Sequence, residues 1–313
     1  MRSLRDGAED YLTLRRGLGF KLKRPARFVR SFVESLESRG ETRITTQLVL
    51  EWATQPQHLH CSEWAARLSS VRAFARYWST IDVTTEIPPE GLLPFRARRA
   101  NPYLYSELEV ERLLEEARSM PAQFTLQPLT YHCLFGLLAV TGLRISEALN
   151  LESRDVNWAE GVLTIRTSKF GKSRLVPLHP TTKDVLAHYA AQRAQRFPDR
   201  PTSPFFPSRA GARLDADQVR RTFYRVSRQI GIRGASASRG RRLHDFRHRF
   251  AVETLLRWYR SGHDVRRRLP VLSTYLGHVH VTDTYWYLSN TPELLQAAGE
   301  LFELQPAEGG SSR

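Results

Sequence analysis

The chain has 313 residues, 41% of them hydrophobic, which is enough for two domains that each bury a core. Lysine and arginine number 47 against 32 acidic residues, a formal charge of +15 at pH 7, so a polyanion such as nucleic acid is the natural partner. Two cysteines, Cys61 and Cys133, exclude a disulfide framework and any paired CxxC metal site, and the longest apolar run, CLFGLLAV at 133–140, is too short to span a bilayer. A soluble, cytoplasmic, nucleoid-associated protein with no membrane partner is expected. His58, His60 and Cys61 lie close together but lack a fourth ligand, so no metal and no cofactor are expected.

Residues 1–86 read as a helical domain. Pro25 opens a helix with Phe28, Phe32 and Leu36 at helical spacing, and Thr45 or Thr46 caps the next one, LVLEWA. From 62 to about 80, Trp64, Leu68, Val71, Ala75 and Trp78 form one apolar stripe, with Arg67, Arg72 and Arg76 off it. These arginines are candidates for DNA-backbone contact, a solvated helix face being the alternative. Residues 87–105 carry prolines at a density that prevents regular structure, so they read as a linker. Its basic knot of Arg96, Arg98 and Arg99 is placed to track phosphates.

A second domain spans 106–313. Ser106 and Glu109 make a capping box for a helix to about Ser119, and a buried helix ends at Gly142. VLTIRT and RLVPL read as strands joined by SKFGKS, and helices follow at about 180–195, 215–231 after an Asp215 cap, 244–260, 280–288 and 292–304. The fold class is therefore mainly α with a small antiparallel β-sheet (α+β). Between 220 and 249 the arginines crowd together, among them Arg220, Arg221, Arg241 and Arg242, and phosphate contact accounts for such crowding better than a solubility charge.

Four segments carry chemistry: TGLRISEAL with Arg144, TIRTSKFGKSRLVPL with Lys169, LHDFRHRFA with His244 and Arg247, and LGHVHVTDTYWYL with His278 and Tyr287. Two guanidiniums can hold the non-bridging oxygens of a phosphate, imidazoles can move protons, and a tyrosine hydroxyl can be the nucleophile, which together suit phosphodiester cleavage without a metal. Arg144 and Glu147, and likewise His244 and Arg247, stand three residues apart and share a helix face.

In order and spacing these segments resemble the signature of the tyrosine recombinase (phage integrase) family, over roughly residues 104–290. The resemblance implies a core-binding domain and a catalytic domain that clamp a DNA duplex. It implies Arg144 and Arg247 on the scissile phosphate, Glu147 supporting them, and His244 as base or proton relay. His278 would bond the phosphate, and Tyr287, nine residues after it, would be the nucleophile in preference to Tyr285. Lys169 would be the general acid, with Lys172 its rival; Ser168 and Phe170 stand where the family has a glycine-rich turn. The implied activity is site-specific recombination through a 3′-phosphotyrosine, for integration, excision or transposition of a DNA element. A homotetramer on two double-stranded DNA sites would perform it, with sister recombinases or accessory proteins as further partners, and a C-terminal helix at 292–304 would seat in a neighbouring protomer, folding back on its own domain being the alternative. The alternatives are a non-cleaving DNA-binding accessory protein of this fold and a type IB topoisomerase-like enzyme.

Overall fold

The computed structural model describes residues 3–93, 102–121, 126–166, 173–198, 203–235, 237, 240–278, 280–289, 294, 296 and 299. It divides into two compact units, 1–100 and 101–313.

The first unit is built from α1 (Leu4–Gly17), α2 (Lys23–Ser38), α3 (Thr46–Thr54) and α4 (Cys61–Trp78). Thr45 caps α3, its hydroxyl accepting from the Leu48 amide. In α4 the buried residues are Leu68, Val71, Phe74, Ala75 and Trp78, and they meet Phe32, Trp52 and Leu12 in one core. Trp64 lies only at the edge of that stripe, its indole N–H donating to the Pro56 carbonyl. The segment at 86–89 is tied to this unit: Glu86 accepts from the Thr46 amide, and Arg72 donates to the carbonyls of Pro88 and Pro89.

In the second unit α5 (Glu107–Arg118) starts at the expected Ser106–Glu109 capping box, and α6 (Gln127–Thr141) ends at Gly142 in the left-handed conformation. A side chain at Gly142 would be strained by its φ of +61° and would meet the Phe250 ring at 2.8 Å, so glycine is required there. After α7 (Ile145–Leu149) come β1 (Val156–Asn157), β2 (Val162–Ile165) and β3 (Arg174–Pro177), an antiparallel sheet in the order β1-β2-β3 with Leu163 opposite Val176 and Ile165 opposite Arg174. The short β1 was not expected from the sequence. Helices α8 (Pro180–Arg196), α9 (Ala216–Gln229) and α10 (Asp245–Arg260) follow as expected, and Asp215 caps α9.

One whole helix, α11 (Val265–Leu276), escaped the sequence reading. Pro270 inside it removes an amide donor and crowds the preceding turn, which argues for a break at the level of sequence. Burial of Val265, Leu269, Leu272 and Leu276 offsets that cost. Helix α12 (Thr282–Ser289) completes the run.

This unit buries two apolar clusters. The larger joins α5, α6, α9 and the sheet; the smaller holds Ala251, Val252, Leu255, the four α11 residues, Tyr287 and Leu294. Helix α10 belongs to both, since Phe246 packs in the first and Leu255 in the second. In the single chain Leu294 lies against its own unit.

Candidate active site

Arg144 sits at the N-cap of α7, not within a helix as its sequence context suggests. The Arg144 amide donates to Glu147 Oε2 at 2.9 Å and its Nη1 donates to Oε1 at 2.8 Å, so the three-residue spacing works through capping geometry. Glu147 is buried and receives a second guanidinium, that of Arg174, whose Nη1 and Nη2 reach Oε1 at 3.0 Å and Oε2 at 2.8 Å. Burial by itself would raise the Glu147 pKa, but these hydrogen bonds and positive charges outweigh it and hold the carboxyl at about 2.

Arg247 lies in the first turn of α10, where His244 is the N-cap. Only 2% exposed, Arg247 donates from Nη1 to the Gly142 carbonyl at 2.9 Å and from Nη2 to the Leu276 carbonyl. Burial, together with the neighbouring Arg144 charge, lowers its pKa to about 10, so it remains a cation at pH 7.

His278 follows Gly277, the left-handed residue that closes α11. Its Nδ1 lies 2.8 Å from the Thr284 hydroxyl, and its ring is near-parallel to that of Tyr287, with centroids 6.2 Å apart. Tyr287 is 3% exposed and also borders His248, at 5.5 Å between centroids, and Trp286. Tyr285, two residues earlier on α12, is 50% exposed. The two tyrosines point in different directions, as alternation on a helix requires. Desolvation, then the charges of Arg247 and Arg144, push His278 down to about 4. His244, open to solvent yet crowded by protein, is lowered to about 4 by desolvation and Arg247. Both imidazoles are neutral at pH 7.

The expected residues Arg144, Glu147, His244, Arg247, His278 and Tyr287 thus converge. They do so at the seam between the two apolar clusters of the unit. Lys169, its rival Lys172, and the basic knot Arg96, Arg98 and Arg99 fall outside the described residues. Three arginines against one carboxylate leave two positive charges in excess, suited to a phosphodiester and to the further charge that builds on it in substitution.

Several arginines read as DNA contacts have intramolecular work. Arg67 stacks on Trp52 at 3.8 Å and donates to its carbonyl at 2.6 Å, and Arg72 is held by the proline carbonyls. Arg220 pairs with Asp217, Arg241 lies over the Tyr103 ring at 4.2 Å, and Arg242 binds Asp245 at the start of α10. Crowding near 220–249 therefore serves local structure as well as charge. Arg76 and Arg221 are exposed. Arg174 was missed altogether, although a signal was there: it stands two residues before the buried Val176 on β3 and so shares its face, and an arginine on a core-facing side needs an anionic partner.

The phage integrase family model matches residues 104–293, and that span contains every residue of this site. Integrase/recombinase y4rB of Sinorhizobium fredii is 52% identical over 302 residues, covering 95% of this chain and 96% of the relative. The chain belongs to the phage integrase family. As a tyrosine recombinase it is an enzyme of site-specific DNA recombination. The XerD tyrosine recombinase of Caulobacter vibrioides is 31% identical over 226 residues, 71% of this chain and 69% of that one. Among solved structures, the Tn1549 transposon integrase in complex with transposon right-end DNA shares the recombinase's fold with a TM-score of 0.66 at 15% identity, covering 95% of this chain and 98% of that one.

Proposed function

We propose that this recombinase cuts and rejoins DNA through a 3′-phosphotyrosyl bond at Tyr287, in the integration, excision or transposition of a DNA element. The observation that carries this reading is the placement of a buried tyrosine beside a neutral histidine and an arginine cluster with excess positive charge. Arg144 and Arg247 hold the non-bridging oxygens of the scissile phosphate and stabilise the charge added as the phosphorane forms. His278 bonds the same phosphate, and His244 takes or relays the phenolic proton. The Tyr287 Oη–P bond forms as the P–O5′ bond breaks, and the leaving oxygen receives its proton from Lys169. Attack by a 5′ hydroxyl of another strand reverses the step, so bond energy is conserved and no nucleotide is consumed.

The exposed Arg76 and Arg221, and the knot at Arg96, Arg98 and Arg99, are assigned to phosphate contact along the duplex. A homotetramer on two DNA sites is the working assembly, since exchanging partners requires four strand cuts.

A nicked duplex, chosen by the wild-type protein from a random-sequence pool, tests the nucleophile. Loss of the flanking fragment after cleavage traps the covalent complex. Tyr287→Phe is expected to bind this DNA normally and give no trapped protein, whereas Tyr285→Phe is trapped as the wild type is. The reverse pattern transfers the nucleophile to Tyr285, and trapping of neither the wild type nor Tyr285→Phe defeats the cleavage reading in favour of a non-cleaving accessory protein.

A further inference from the structure

Three successive carbonyls at the end of α11 each take a different arginine. Arg174 Nε donates to the Tyr275 carbonyl at 2.6 Å, Arg247 Nη2 to that of Leu276, and Arg144 Nη2 to that of Gly277 at 3.1 Å. The carbonyls just before them, of Ser273 and Thr274, accept the amides of His278 and Gly277. A helix end leaves its last carbonyls without helical partners, and here the cap turn and the arginines account for them in sequence. Gly277 has no room for more: a Cβ there would lie 2.9 Å from Arg174 Nη1 and 3.5 Å from Arg144 Nη1.

Arg174 differs from the other two. All three nitrogens of its guanidinium are engaged, two on Glu147 and one on Tyr275, and its side chain is 10% exposed, so its bonds fix it in place among protein groups. Arg144 keeps more exposure, 21%, and is bound on the other side of the same carboxylate. Glu147 is thus shared between a more exposed arginine and one that also binds the α11 terminus through Nε.

We propose that Arg174 is a positioning residue for strand cleavage: it locks the Glu147 carboxylate to the α11 terminus, and so holds the Arg144 guanidinium and the His278 turn in one fixed relation. Arg174 stands on β3, within the larger apolar cluster's sheet, whereas His278 is carried by the smaller cluster. It is a tie across the seam on which the site is built. Without it, Glu147 still pairs with Arg144, but the carboxylate itself loses its link to the α11 terminus, and the Arg144 segment is held to that terminus only by the Arg144 bond to the Gly277 carbonyl and by Arg247, which spans the Gly142 and Leu276 carbonyls. This inference rests on the cleavage reading given above.

The test uses the full chain and the nicked duplex selected from a random pool, with DNA affinity, thermal unfolding and the single-turnover rate of covalent trapping measured on each variant. Arg174→Ala is expected to bind the duplex within about threefold of the wild type and to trap about a hundredfold more slowly, the scale on which misplacement by about an ångström acts. Glu147→Gln should also be slow, and the double variant should be no slower than the worse single one, because both substitutions break one linkage. Arg174→Lys retains the charge but supplies one nitrogen for three acceptors; it keeps the unfolding temperature near that of the wild type and remains slow, which covers the case in which Arg174→Ala does not fold. Trapping by Arg174→Ala or Arg174→Lys at near wild-type rate overturns the assignment. So does a double variant whose loss equals the product of the single losses, or a loss that tracks affinity and unfolding temperature instead of rate. If the wild type itself is not trapped, the cleavage reading fails first, and the wild-type control makes the two failures distinguishable.

Discussion

His244 and His278 are held neutral by desolvation and by the arginines around them, and this gives the molecule a pH dependence with a definite sign. Both folded pKa values, about 4, lie below the unfolded value of about 6.5. The unfolded chain binds the proton first, so the contribution is complete above about pH 6.5 and is lost as pH falls through the window down to about 4. Thermal unfolding of the catalytic unit should therefore move to lower temperature across that window, and His278→Gln should show a smaller drop. An equal drop in the variant would assign the effect to other groups. Glu147, held at about 2 against about 4.5 in the unfolded chain, also loses stability as pH falls, but only from about pH 5.5 downward, so the upper part of the window reports the histidines.

At the scale of elements, the site depends on how α10 joins two packed groups. Phe246 lies one residue before Arg247 and touches Phe223 of α9, with ring centroids 5.9 Å apart, and Phe223 in turn meets Phe135 of α6 at 5.7 Å. Phe223 is fully buried, and its truncation to alanine leaves a cavity beneath the start of α10. A loss of about 3–5 kcal/mol in denaturant unfolding of this unit is expected. A loss below about 1 kcal/mol would show that the aromatic layer does not support α10. The capping boxes, the Gly142 stop and the two strands were legible in the sequence because each depends on neighbours within a few residues. Helix α11 was not, because what outweighs Pro270 is burial against α10 and the rest of the smaller cluster, which no local pattern reports.

At the scale of the whole molecule, the question is whether the C-terminal segment belongs to its own unit or to a neighbour. Leu294 is 1% exposed within the cluster that also holds Tyr287. Leu294→Ala is accordingly expected to cost about 2–4 kcal/mol in unfolding of the isolated, DNA-free protein and to slow trapping on a single site. If stability is unchanged and only complexes that pair two DNA sites are lost, the segment acts in a neighbouring protomer instead.

The sequence by itself determined the family and named the six residues that converge, since local spacing in four segments is enough to recognise chemistry that needs arginine, histidine and tyrosine together. It also determined that Tyr285 and Tyr287 cannot serve one phosphate, because helical geometry turns them apart. Only the tertiary structure decided which arginines are occupied. Arg67, Arg72 and Arg241 look like free cations in the sequence, yet each is taken by a carbonyl or a ring brought near by folding. Arg174 is the clearest case: its partners Glu147 and Tyr275 stand 27 and 101 residues away along the chain, and the three nitrogens that hold them become a set only when β3, α7 and the end of α11 meet.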